Sequence, residues 1–137
     1  MKPQMKEIEE APNLHLLEKF FGVDRKVVII AYGDSIYAPN KTLSSDLLIH
    51  ELVHCARQGF NTNTAERWWK RYMEDSEFRL SEELEAYKQQ YLFCCKVYKD
   101  KNKRAKILHA LASELSSSMY GNIILHSEAV RLIRGMV

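Results

Sequence analysis

The sequence predicts an α+β fold, mostly helical, in which a small β-hairpin leads straight into the helix that carries the chain's chemistry. Three observations predict it. Apolar residues recur at helical spacing in the segments Asn13 to Phe21, Thr64 to Glu74, Ser81 to Tyr98 and Arg104 to Ser116. One β-branched run, Val27-Val28-Ile29-Ile30, ends at Gly33-Asp34, and a second short run closes at Pro39-Asn40. The chain of 137 residues, 46% of them hydrophobic, is expected to form one domain over residues 1–137, large enough for a real core and too short for a second.

In chain order, Met1 to Ala11 reads as a polar lead-in. Leu14, Leu16, Leu17, Phe20 and Phe21 then form the stripe of an N-terminal amphipathic helix closed by Gly22, with His15 on its outer side. Lys26 to Tyr32 is the clearest strand, and Ser35 to Ala38 its hairpin partner. Either strand can offer an unpaired edge to an extended peptide. Ala65, Trp68, Trp69, Tyr72 and Met73 make a further helical stripe in which the tryptophans read as core anchors. Ser81 caps the next helix, which runs to about Tyr98. The segment around Asn102 breaks it before a helix over Arg104 to Ser116, with His109 off its stripe. A small-residue loop follows from Ser116 to Gly121, then the apolar run Ile123 to Leu125 and a last helix capped by Ser127.

The informative stretch is His50-Glu51-Leu52-Val53-His54. On a helix it sets two imidazoles one turn apart on one face with a carboxylate beside them. Two neutral imidazoles can take two corners of a zinc tetrahedron, while the Glu reaches a metal-bound water without ligating the metal. A shuffled chain of this composition would show the pattern about two times in a hundred, so context has to decide. At about 100° per residue, Leu48, Ile49, Leu52, Val53, Cys55 and Ala56 share one arc, expected to be the core face. His50, Glu51 and His54 share the other with Asp46, Leu47, Arg57 and Gln58, so the motif is expected to face a polar site. Ser44 or Ser45 is the expected N-cap, Asp46 lies in the first turn, and Gly59 stops the helix.

The helix after Ser81 holds a second carboxylate of interest. Leu84, Ala86, Tyr87, Tyr91, Phe93, Cys94, Val97 and Tyr98 flank Glu83, placing it in the middle of the apolar face, with Glu82 at its edge and Glu85 towards solvent. A carboxylate directed into a core is costly unless something pairs with it. A metal held by two neutral histidines is such a partner. Gln90, two turns on, points the same way and can hydrogen-bond a ligand.

The net charge of +2 does not by itself imply a nucleic-acid partner, although Lys96, Lys99, Lys101, Lys103, Arg104 and Lys106 cluster around one Asp100. No apolar run approaches bilayer length, and Met1 to Ala11 lacks a hydrophobic export signal, so a cytoplasmic protein without a membrane span is expected. Cys55, Cys94 and Cys95 are odd in number and do not suit a disulfide framework; all three read as reduced thiols.

The pairing of His50-Glu51-x-x-His54 with Glu83-Leu84-Glu85-Ala86-Tyr87 resembles the gluzincin metallopeptidases, in which the third zinc ligand is a Glu on a later helix, often followed three residues on by Ala. More narrowly, Asp46-Leu47-Leu48-Ile49-His50-Glu51-Leu52-Val53-His54 with Glu83-x-Glu85-Ala86-Tyr87 is similar to the small zinc peptidases encoded by bacteria and their phages. The resemblance implies a minimal zincin-like domain, Zn2+ held by His50, His54 and Glu83, Glu51 as general base, and a peptide or protein substrate. Tyr87, one turn after Glu83, is the first candidate for stabilising the oxyanion, ahead of Arg57, Tyr120 and His126. Asp46 is placed to orient His50 or to serve as a plain first-turn carboxylate. Two other readings stay open. One is a zinc amidase acting on a non-protein amide. The other is a zinc-stabilised binding module without catalysis, meeting nucleic acid or an acidic protein through Lys96 to Lys106.

Overall fold

The hairpin forms where the β-branched run meets Gly33-Asp34. In the computed structural model, which describes residues 2–135, strand β2 (Ile30–Tyr32) turns through these two residues into β3 (Ser35–Ala38) and pairs with it antiparallel, Ala31 opposite Ile36. Of the two loop residues only Gly33 has positive φ (65°), the arrangement of a type II′ turn. A Cβ there would also lie 3.0 Å from the backbone of Asn61 and of Thr62, so glycine is required twice over. The expected strand over Lys26 to Tyr32 is shorter in the structure. Asp24 accepts from the Lys26 N–H through its side chain, and its carbonyl accepts from Val27 and Val28. This local turn competes with extended pairing.

The polar lead-in is structured. Gln4–Glu7 forms β1, parallel to β3 with Met5 opposite Ile36, so the sheet order is β1-β3-β2. A 3-10 turn at Ile8–Glu10 and helix α1 (Leu14–Phe21), ended by Gly22 in the left-handed region, follow. Ile8, Leu14, Leu17, Val28, Ile30 and Tyr37 close a small core between α1 and the sheet.

The expected class holds: among the described residues six helices accompany this three-stranded sheet. Helix α2 (Ser45–Arg57) carries the motif, α3 spans Thr62–Glu74, α4 Ser76–Val97, α5 Lys101–Leu115 and α6 His126–Arg134. Helix α4 starts five residues before the expected Ser81, because Asp75 is the N-cap, accepting from the Glu77 and Phe78 N–H groups. Ser81 instead bonds back to the Phe78 carbonyl. Helix α5 likewise begins early, capped by Asp100. The run Ile123 to Leu125 is irregular, and Leu125 rather than Ser127 occupies the N-cap position of α6. The main core gathers Leu108, Leu111, Leu115, Ala129 and Ile133 around Trp68, Tyr72, Tyr87, Tyr91 and Tyr120. Each buried Leu or Ile there contributes about 1.5–3 kcal/mol. No helix among the described residues is long and apolar enough to cross a membrane.

One expectation is inverted. The motif face of α2 is its buried face: His50, Glu51, His54 and Gln58 are buried, whereas Leu48, Ile49, Leu52 and Val53 are half-buried and Ala56 is exposed. Only Cys55 of the apolar arc is fully enclosed, against the sheet. The cause lies in α4, which runs past α2 so that Asp46 meets Gln90 and Arg57 meets Glu82. Buried polar groups are tolerated when they find partners: α4 supplies Gln90 and Glu83 to the histidines, the hairpin supplies Gly33 and Ala31 to Gln58, and His54 Nδ1 alone of these ring nitrogens has no partner among the described residues.

Candidate metal centre

Two helices bring the three side chains together. His50 and His54 project from α2 into the seam with α4, their rings 5.0 Å apart, and Glu83 of α4 enters between them. Glu83 Oε1 lies 3.1 Å from His50 Nε2 and 3.2 Å from His54 Nε2, and all three residues are nine-tenths or more buried. Their ligand atoms lie within 4.8 Å of one another, a group able to hold a metal. Ligands about 2.0–2.2 Å from a tetrahedral zinc ion stand about 3.3–3.6 Å apart, close to the two His–Glu spacings here.

The donor chemistry fits a cation as well. The Gln90 side-chain carbonyl oxygen faces His50 Nδ1 at 3.0 Å and accepts its proton. In the neutral ring that leaves the Nε2 lone pair pointing at the Glu83 carboxylate. Lone pairs brought together out of water need a positive charge between them, a metal ion or a shared proton. Burial raises the Glu83 pKa; in the shared-proton case the charges and hydrogen bonds of protonated His54 and His50 outweigh it and hold the carboxyl well below its ordinary range. Two imidazoles with one carboxylate suit zinc and also other divalent first-row metals.

Asp46 acts one residue removed from its expected place. It accepts from the Gln90 amide at 2.8 Å, so the chain Asp46–Gln90–His50 orients the ring through Gln90. Ser44 donates to the same carboxylate at 2.7 Å instead of capping the helix backbone. Gln90→Leu, which breaks that chain, is expected to weaken zinc binding by about 10–100-fold. Competition with a chromophoric chelator measures it, and an unchanged Kd would remove Gln90 from the site's support.

Glu82 and Glu83 are both buried, correcting the expectation that only Glu83 points inward. The Trp68 indole N–H donates to Glu82 at 2.6 Å, and Arg57 reaches it through Nε (2.7 Å) and Nη2 (2.6 Å). Trp68 also packs edge-on to His54 at 5.4 Å. Spacing assigns Tyr72 no part in the site, yet it donates its hydroxyl to Glu83 Oε2 at 2.7 Å. Its helical stripe placed it in the core, and a buried phenol and a buried carboxylate each need a partner. That shared need was the signal available.

Glu51 stands beside the three candidate ligands, its carboxylate 3.9 Å from His50 Nε2. Burial pushes its pKa up to about 8; His50 lowers it and Glu83 raises it further. Tyr87 packs edge-on to His50 at 4.4 Å, donates to Glu114 at 3.2 Å and lies 2.7 Å from the Tyr120 hydroxyl. With the single Tyr87 proton directed to Glu114, Tyr120 supplies the proton between the phenols. Arg57 is engaged with Glu82, and His126 stacks on His109 at 5.5 Å. Neither lines the cavity in which Glu51, Tyr87 and Tyr120 meet His50, His54 and Glu83. That cavity measures about 260 Å³ and is walled on its other side by Leu17, Phe21, Val23, Val27, Val28 and Ile29.

The sheet offers less edge than expected. β3 is paired on both sides, which leaves β2. There the Gln58 amide donates to the Ala31 carbonyl (3.1 Å) and accepts from the Gly33 N–H (2.6 Å), and the Trp69 indole adds a second donor to Ala31 (3.0 Å). These are groups an added strand would use. Cys55 lies on the sheet side of α2, its thiol 4.0 Å from the Ser35 carbonyl and raised by burial to about 12.

Comparison of the chain with models of protein families, with curated proteins and with solved structures found no match.

Proposed function

We propose that this protein is a zinc-dependent metallopeptidase of the gluzincin type, with His50, His54 and Glu83 as metal ligands and Glu51 as general base. The observation that carries the reading is the convergence of three ligand atoms beside a fourth, non-ligating carboxylate in one cavity. A purely structural site has no use for that fourth group. A zinc ion held there would lower the pKa of a water in its open position towards neutrality and polarise a substrate carbonyl.

The chain's own groups supply the rest. Glu51 takes a proton from the attacking water and returns it to the leaving amine. The Tyr120 hydroxyl turns from Tyr87 towards the developing oxyanion, while Tyr87, anchored by Glu114, holds its direction. Peptide is favoured over a small amide by the apolar wall opposite the ligands, which meets solvent at Val27, 71% exposed.

The basic segment gains less support as a docking surface, since Arg104 is committed to the Tyr98 and Cys95 carbonyls at the end of α4. The test is zinc-loaded protein with a peptide library followed by mass spectrometry, with and without a chelator. Cleavage that stops on chelation while far-UV circular dichroism is retained is the expected result, because both apolar cores form without the metal ligands. No cleavage, with unfolding on chelation, would contradict the peptidase and favour the zinc-stabilised module.

A further inference from the structure

Among the described residues, Arg79 is a buried cation with no carboxylate partner. It is 7% exposed, and its hydrogen bonds go to main-chain carbonyls: Nε to Tyr120 at 2.9 Å, Nη1 to Tyr72 at 2.5 Å and to Met73 at 3.5 Å. Its guanidinium carbon lies 4.9 Å from the Phe21 ring centroid and 5.7 Å from that of Tyr72. Burying a guanidinium away from a carboxylate is costly, so it holds only where several acceptors are fixed around it.

The residues it ties are telling. Tyr72 and Met73 lie in the last turn of α3, where carbonyls lack helical donors and the dipole favours a cation. Tyr120 sits in the 3-10 turn Ser118–Tyr120, 41 positions along the chain from Arg79. The structure brings the two tyrosines to one cation from behind, while their hydroxyls point to the site in front: Tyr72 onto Glu83 and Tyr120 onto Tyr87. Phe21, Tyr72 and Tyr120 all line the cavity beside the ligands. A capping role for α3 alone would need neither Tyr120 nor Phe21.

We infer that Arg79 is a positioning residue for the metal centre, clamping the backbones of Tyr72 and Tyr120 so that one phenol fixes the ligand Glu83 and the other faces the substrate. The inference rests on the metal-centre reading. Lysine at this position keeps the charge and can satisfy one or two carbonyls, but it cannot span three with a planar fork.

The test is a double-mutant cycle on zinc affinity. Arg79→Lys is expected to weaken binding about tenfold with circular dichroism unchanged, the size seen when groups supporting a ligand are lost. In the Tyr72→Phe background the same substitution should change the affinity by less than about twofold, because the group through which it acts is already gone. With cobalt in place of zinc, the visible absorption of Arg79→Lys should also shift, reporting altered ligand geometry. If the lysine variant does not fold, Arg79→Gln, which keeps a donor without the charge, takes its place in the cycle. Equal losses in both backgrounds, or no loss in either, would overturn the clamp while leaving the metal centre intact. A wild type that binds no zinc would overturn both.

Discussion

Glu51→Gln is expected to keep one zinc per chain and to lower kcat about 10²–10⁴-fold, the range a positioned general base supplies. The amide is nearly the same size as the carboxylate, and Glu51 is not among the three convergent ligands, so the metal affinity should stay within a factor of a few. The variant should also fold at least as well as the wild type, since a carboxylate buried beside Glu83 is replaced by a neutral group. Metal content by atomic emission and kinetics on a cleaved library peptide check the two halves separately. Retained turnover would exclude Glu51 as the base, and lost zinc would make it a ligand.

The second large effect is at Glu83. Glu83→Ala should abolish stoichiometric zinc binding at micromolar concentrations, because two imidazoles remain where three donors converged. It should also destabilise the fold by about 1–3 kcal/mol, since the Tyr72 hydroxyl is left buried without its acceptor. Glu83→Gln separates the two losses. Its amide oxygen can still accept from Tyr72, so stability should largely return while metal binding stays weak, a neutral oxygen being a poor substitute for a carboxylate. Calorimetric zinc titration and urea unfolding read the two quantities. Wild-type affinity in both variants would exclude Glu83 as a ligand.

The parts of this site legible in the sequence were those set by spacing along one helix. His50, Glu51 and His54 follow from a single turn of α2, and Glu83 and Gln90 from a carboxylate and an amide facing inward on α4. Spacing could not say which face of α2 is inside. Counting aliphatic residues placed the interior on the Leu52 and Val53 side, and the structure reverses this because Glu83 and Gln90 arrive from α4 to partner the polar face.

Long-range groups were illegible for the same reason. Tyr72, Glu82 and Arg79 sit on helices whose local pattern says only inside or outside, and their roles come from partners 6 to 41 positions away. Strand β1 carries no β-branched run; it is a strand because β3 offers an edge to it. The early start of α4 was available in principle, since Asp75-Ser76-Glu77 is a cap followed by a first-turn acid, but the nearer Ser81 drew the boundary.

The most direct test of the central claim, a peptidase site built on His50, His54, Glu83 and Glu51, is a mass-spectrometric survey of new protein N-termini. A bacterial lysate is incubated with the zinc-loaded wild type or with zinc-loaded Glu51→Gln. New termini with the wild type and none with the variant are the expected result, and the residues flanking them would define the preference of the cavity. Identical termini in the two samples would contradict it.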